Sequence, residues 1–332
     1  MALTKQTNTT LEEIAQVMDR NQSFVICGHV GPDGDCLGSQ LALAHVLIAK
    51  GKDVEVILAA NDPIEPSLSI MPGFERFIPS DRIDVECDVF VGVDVPTRER
   101  IGEAAARLLD KATTSVTIDH HAVDTTMCQY VYVDPDAAST SILIWQLACI
   151  LMENPPIECA QCAYTGLVSD TGCFQYQNVD ERAFSIASQL VAAGAQPEVV
   201  ARETMHNRTL ASLRLESRVI ERMELLNEGK CALSWVTAKD MSDFSAEKSD
   251  TDALINVVRQ LQGLRVACVL REQGDLVKGS LRAKDDTDVS VLARKLGGGG
   301  HKAAAGFTVD GPLDSVLQTM RNELAVLFQE QL

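Results

Sequence analysis

The stretch His29-Val30-Gly31-Pro32-Asp33-Gly34-Asp35 carries one imidazole and two carboxylates, directly after the apolar run Ser23–Cys27. Pro32 and Gly34 limit and shape the backbone of this loop. Mixed nitrogen and oxygen donors of this kind suit Mn²⁺, Mg²⁺, Fe²⁺ or Zn²⁺. The same residues also read as a turn in which Asp33 and Asp35 cap a following helix. Asp94 ends a second apolar run, VFVGVDVP, beside Pro96. An aspartate at the end of a central strand points into a ligand crevice. Asp119-His120-His121 closes a third run, SVTI. Neighbouring side chains diverge, so one histidine can bind a cation while the other faces substrate. Asp119 can accept the ring proton of a metal-bound histidine. Asp170 closes an apolar helical run in GLVSDTGCFQY. Each piece alone also reads as a loop or terminal carboxylate. The joint pattern is more specific: four carboxylates, Asp33, Asp35, Asp94 and Asp170, and two imidazoles, His29 and one of His120 and His121, converge if the sheet is doubly wound. Two neighbouring cations that share a carboxylate stabilise both the attacking and leaving oxygens of an in-line displacement at phosphorus.

A different chemistry is offered by GGGGHKAAAG, Gly297 to Gly306. Glycine-rich backbone lets N–H groups approach an anion closely. The spacing is not that of a P-loop, and the run does not open a Rossmann βαβ unit. Gly298, Gly299, Gly300 and His301, with Ser280, Arg282 and Lys284 on a nearby predicted strand, form a candidate phosphate-binding group. A flexible turn is the bland alternative.

These residues need elements to position them. Short β-rich runs at Ser23–Cys27, Val54–Leu58, Asp88–Val93 and Ser115–Ile118 alternate with helical patterns at Leu37–Lys50, Arg98–Asp110 and Ser139–Met152. That alternation predicts an α/β fold with a mainly parallel sheet and helices on both faces. Helical periodicity follows Asp180 up to about Asn227. Strand-like segments resume at Cys231–Val236, Leu264–Arg271 and Val277–Ala283, with a helix over Val289–Lys295. The expected organisation is a catalytic metal-binding domain over 1–194, a helical connector over 195–228 that includes one long helix from Thr209 to Leu226, and a smaller α/β substrate-binding domain over 229–332.

The 332 residues suffice for two domains that bury cores without staples. Ten cysteines lie scattered, several in apolar runs, which fits free thiols in a reducing cytoplasm. The one CxxC, Cys159 and Cys162, reads as two thiols on a helix face rather than a zinc or redox site. No secretory signal or membrane span is expected. Net charge is −18, and residues 1–194 hold 27 acidic against 11 basic side chains. A chain so acidic is a poor non-specific binder of long nucleic acid.

These motifs resemble the DHH/DHHA1 phosphoesterase family, from about Asn21 to Phe307. HVGPDGD, GVDVP, DHH and SDTG match its catalytic DHH domain, and SLRAK and GGGGH match its DHHA1 domain. The resemblance is greatest to the short two-domain oligoribonucleases of the family, many of which also remove the 3′-phosphate of 3′-phosphoadenosine 5′-phosphate. It implies one metal on His29, Asp33 and Asp94, and another on Asp35, Asp94, His120 and Asp170, with Asp94 shared. It implies Mn²⁺ as the favoured ion, with Mg²⁺ or Fe²⁺ open. His121 would contact the scissile phosphate, and Arg282, Gly298–Gly300 and His301 would hold the substrate's terminal phosphate or nucleotide. The expected partners are short RNA oligonucleotides or small phosphorylated nucleotides, without long nucleic acid or membrane, and with a homodimer left open. Alternatives are a phosphodiesterase for cyclic di-AMP or pApA, a RecJ-like single-strand exonuclease, and a catalytically dead nucleotide-binding protein.

Overall fold

The computed structural model describes residues 4–123, 125–251, 253–300 and 302–328. The chain separates into two compact units, 1–207 and 208–332.

The first unit opens with α1 (Leu11–Arg20), whose Thr10 and Glu13 form a capping box. It continues through β1 (Ser23–Cys27), α2 (Gly34–Ala49), β2 (Asp53–Leu58), β3 (Phe77–Pro79) and β4 (Val89–Val93). Next come α3 (Gly102–Lys111), β5 (Thr114–Asp119), β6 (Tyr130–Val133), α4 (Thr140–Leu151), α5 (Ile157–Asp170), α6 (Glu181–Ala192) and α7 (Pro197–Ala201). The six strands form one sheet in the order β3-β2-β1-β4-β5-β6, with every pairing parallel. The alternation of side chains along a strand sends Phe24 and Ile26 of β1, and Val89, Val91 and Val93 of β4, into one core with α2, α4 and α5. Val25, Cys27 and Phe90 point the other way, onto α3. Both faces are therefore covered, as the continuous apolar runs imply. The order reverses between β1 and β4, so their carboxyl ends flank a crevice.

α2 is apolar around most of its circumference and is buried over nearly its whole length. It begins at Gly34, three residues before the periodicity predicts, because Asp33 Oδ1 accepts hydrogen bonds from the Asp35 and Cys36 backbone N–H groups. The capping role and the candidate ligand role thus fall on one residue. β3 and β6 are too short to stand out as periodic segments, whereas α1 buries Leu11, Ile14, Ala15 and Met18 at helical spacing.

The second unit holds α8 (Leu210–Glu221), β7 (Glu224–Leu226), β8 (Cys231–Val236), α9 (Ala238–Asp243), α10 (Leu254–Arg259), β9 (Val266–Gln273) and β10 (Leu276–Ala283). It ends with α11 (Val289–Lys295), β11 (Gly299–Gly300), β12 (Ala304–Asp310) and α12 (Leu313–Val326). Its sheet runs β11-β12-β10-β9-β8-β7 and is antiparallel except for β8 with β9. Val266, Cys268 and Leu270 face α11 and α12, whereas Ala267 and Val269 face α8 and α10.

The expected connector is divided. Residues 195–207 belong to the first unit and 208–228 to the second, where Leu215 and Val219 of α8 are fully buried. The long helix predicted up to Leu226 ends at Glu221. Asn227, Glu228 and Gly229 all adopt positive φ, which turns Glu224–Leu226 back as a strand against Cys231–Leu233. A helical periodicity cannot reveal that turn, since only Gly229 announces it. Cys159 and Cys162 are buried on α5, and no cysteine is disulfide-bonded. No helix among the described residues is long and apolar enough to cross a membrane.

Candidate metal centre and phosphate site

β1, β4 and β5 run parallel and end at one edge of the sheet, so the residues that follow them converge. His29 Nε2 lies 3.4 Å from Asp94 Oδ2 and 3.9 Å from Asp33 Oδ1. His120 Nε2 lies 3.6 Å from Asp94 Oδ1 and 3.4 Å from Asp170 Oδ2. Asp94 therefore stands between two groups of donors, one oxygen toward each. Donor atoms of Asp35, His120 and Asp170 fall within 4.8 Å of one another, as do those of Asp94, His120 and His121. All six residues named from the sequence as ligands are brought together.

Their orientations are held from behind. His29 Nδ1 is 3.0 Å from Val30 O and His120 Nδ1 is 3.1 Å from Ala137 O. Each Nδ1–H donates to its carbonyl, which leaves both Nε2 atoms facing the carboxylates as the positions that take up a proton or a cation. Asp35 is fully buried and accepts from Thr140 N at 2.6 Å and Ser141 N at 3.0 Å. It thereby occupies the N-terminus of α4, where exposed N–H groups favour an anion. Thr140 Oγ1 also donates to Asp94 Oδ1 at 2.9 Å. Gly166 makes room for this arrangement: a Cβ there would stand 2.8 Å from Asp35 Oδ1 and from Ser141 Oγ. Asp94 itself has φ of +55°, a left-handed conformation in a non-glycine residue. Such strain persists where surrounding contacts over-determine it, and it concentrates at functional sites.

Thr140, Ser141, Gly166 and Cys36 were not legible as site residues in the sequence. Ser139-Thr140-Ser141 at a helix start was the available clue, but it reads equally as an ordinary cap.

The centre is electrostatically unbalanced. Burial and the neighbouring Asp94 and Asp170 charges push the Asp35 carboxyl well above the ordinary range. Asp170 is raised to about 6, chiefly by burial, against the attraction of His120. Burial opposes ionisation of Asp94 too, but the His29 hydrogen bond and the imidazoles of His120 and His121 hold it down at about 2. Burial pulls His29 down, yet its bond to Asp94 carries it up to about 11. The crowding of Asp35, Asp94 and Asp170 thus favours positive charge at this place. The donor set, imidazole nitrogen and carboxylate oxygen with two lone-pair-bearing Nε2 atoms, fits divalent cations.

His121 differs from its neighbour. Its ring makes a 70° angle with that of His120 and its side chain is 43% exposed. Its Nδ1 bonds to Asp119 Oδ1 at 2.8 Å, and the same oxygen accepts from the N–H groups of His120 and His121. Burial lowers the imidazole's basicity, but the Asp119 hydrogen bond outweighs it and raises the ring to about 9.

In the second unit, alternation along β10 puts Lys278, Ser280 and Arg282 on one face. They line a cavity of about 250 Å³ with Arg271 of β9 and an apolar side that includes Val236, Ile255 and Val269. Lys284 lies outside it, with Nζ bonded to Leu261 O at 3.1 Å. Gly298 approaches the β12 backbone so closely that a Cβ would meet Gly306 O at 2.2 Å, and Gly299 and Gly300 pair with Gly306 and Ala305. Gly298 thereby lets the two strands approach closely. His301 lies outside the described residues.

Imidazole and carboxylate donors that could hold divalent cations thus gather at the reversal point of a parallel sheet, and the second α/β unit carries a cavity lined by cationic side chains. Residues 23–167 match the DHH family N-terminal domain and 229–329 match the DHHA1 domain, and the chain belongs to the DHH/DHHA1 phosphoesterase family. It is similar to the bifunctional oligoribonuclease and PAP phosphatase NrnA of Thermus thermophilus, with 29% identity over 90% of this chain and 89% of that one. The cyclic-di-AMP phosphodiesterase PdeA of Listeria monocytogenes is 26% identical over 89% of this chain, but the match spans 46% of that protein. An exopolyphosphatase-related protein from Bacteroides fragilis shares the fold with a TM-score of 0.88, at 28% identity over 95% of each chain.

Proposed function

We propose that this chain hydrolyses short oligoribonucleotides to mononucleotides and removes the 3′-phosphate of 3′-phosphoadenosine 5′-phosphate. The observation that carries this reading is Asp94, which offers one oxygen toward His29 and the other toward His120. In this reading His29, Asp33 and Asp94 hold one divalent cation, and Asp35, Asp94, His120 and Asp170 hold a second. Mn²⁺ is the favoured ion, and Mg²⁺ and Fe²⁺ suit the same donors. Bound cations supply charge for the phosphoryl oxygens in an in-line displacement. His121, partly exposed, gives a proton to the leaving oxygen, and Asp119 keeps its ring in place. Ser280 and Arg282, with Lys278 beside them, hold the substrate's terminal phosphate, and the apolar side of the cavity accommodates a base or ribose.

The similarity to proteins named for both chemistries supports the ester-hydrolysis reading. The test is Mn²⁺-dependent product release from RNA di- to pentanucleotides, a long single-stranded RNA, 3′-phosphoadenosine 5′-phosphate, pApA and cyclic di-AMP. Asp94→Ala serves as the blank. Rapid cleavage of the shortest RNAs with the long strand spared is expected. A dominant rate on cyclic di-AMP or pApA would replace the oligoribonuclease role with second-messenger turnover.

A further inference from the structure

Cys36 sits in the first turn of α2, fully buried. One donor atom from each of His29, Cys36 and Asp94 lies within 4.8 Å of the other two. The sulfur is surrounded by donors. The His29 backbone N–H points at Sγ from 3.3 Å, and Gln40 Nε2 from 3.5 Å. Gln40 Oε1 is left buried without a partner. Sulfur thus faces two N–H groups as well as the His29 and Asp94 donors. Gly28 keeps the space open, since a Cβ there would stand 2.2 Å from Sγ.

We infer that Cys36 supplies a sulfur donor to the cation held by His29 and Asp94, so that this half of the centre prefers thiophilic divalent ions over Mn²⁺ and Mg²⁺. The inference rests on the two-cation reading above. Its chemistry is ligand exchange: the S–H bond breaks, its proton leaves to buffer, and sulfur binds the cation. Thiolate favours softer ions such as Co²⁺ and Zn²⁺, whereas the Asp35, Asp170 and His120 group has no sulfur and stays suited to Mn²⁺. The two halves would then differ in the ion they retain.

The test loads the full chain with Co²⁺ and reads absorbance, without turnover. The unmutated protein is expected to show visible ligand-field bands together with a near-ultraviolet sulfur-to-cobalt charge-transfer band. Cys36→Ser should keep the first and lose the second, and should release Co²⁺ to competing Mn²⁺ about tenfold more readily. Should Cys36→Ser fail to fold, cobalt-edge X-ray absorption of the unmutated protein decides the matter through a sulfur shell. Visible bands with neither a charge-transfer band nor a sulfur shell would overturn the sulfur assignment and leave the metal centre intact. Failure to bind Co²⁺ or Mn²⁺ at all would overturn the metal reading itself.

Discussion

Asp94 pays for its position with backbone strain, and that strain can be measured apart from its chemistry. Two variants are compared, Asp94→Gly and Asp94→Ala. Both remove the carboxylate, its hydrogen bond from Thr140, and the contacts with His29 and His120. They differ in one respect: at φ of +55° alanine carries a Cβ against its own carbonyl and glycine does not. The left-handed conformation costs an ordinary L-residue about 1–2 kcal/mol. Glycine's extra freedom in the unfolded chain gives back about 0.4–1 kcal/mol. The balance leaves the glycine variant more stable by about 1 kcal/mol, roughly a fivefold change in the folding equilibrium. Denaturant unfolding in EDTA, in a Trp235→Phe background, lets Trp145 on buried α4 report the first unit. Both variants should lose turnover. An alanine variant equal to or more stable than the glycine variant would refute the strain argument.

Three further outcomes are expected. Gly166→Ala should cost about 1–3 kcal/mol through overpacking, and by pushing Asp35 off Thr140 and Ser141 it should weaken Mn²⁺ binding about tenfold or more; calorimetric titration showing unchanged affinity would contradict the positioning role. Asp240 is buried, which raises its carboxyl, but hydrogen bonds from Arg222 and Thr237 more than offset this and hold it below the usual range. Its stabilisation is therefore complete above the ordinary carboxylate pKa and lost as pH falls through the lower folded value. Asp240→Asn should destabilise the second unit by about 2 kcal/mol at neutral pH, with the gap from the parent narrowing in acid unfolding curves; a gap that stays constant with pH would rule out an ionic origin. Arg282→Ala should raise KM several-fold for substrates with a terminal phosphate while the unfolding midpoint barely moves, and an unchanged KM would remove Arg282 from the phosphate site.

Much of the fold was legible because its strands are buried on both faces. Runs such as SFVIC and VFVGV have no polar register to misplace, and β1 spans the predicted residues. β3 and β6 escaped notice because three or four residues at a sheet edge leave too short a pattern. The convergence of the candidate ligands was legible for a related reason: titratable residues at the ends of parallel apolar strands have few structural uses. The supporting groups were not. Thr140 and Ser141 hold Asp35 through backbone N–H groups and Gly166 through absent volume, which residue type does not encode. The same blindness covers Gly298, whose residue type does not announce its close approach to the β12 backbone.

Asp35 reaches the N-terminus of a helix that begins at Thr140, and His120 leans on the carbonyl of Ala137. The first ligand is at 29 and the last at 170, so a growing chain emerging from a ribosome holds only fragments of the set until most of the first unit has been made. The HVGPDGD loop by itself offers a few solvated donors with no helix end behind Asp35 and no carbonyl behind His120. On the two-cation reading, tight capture would wait for the sheet to close, and the geometry that distinguishes one cation from another would exist only once the whole unit is assembled.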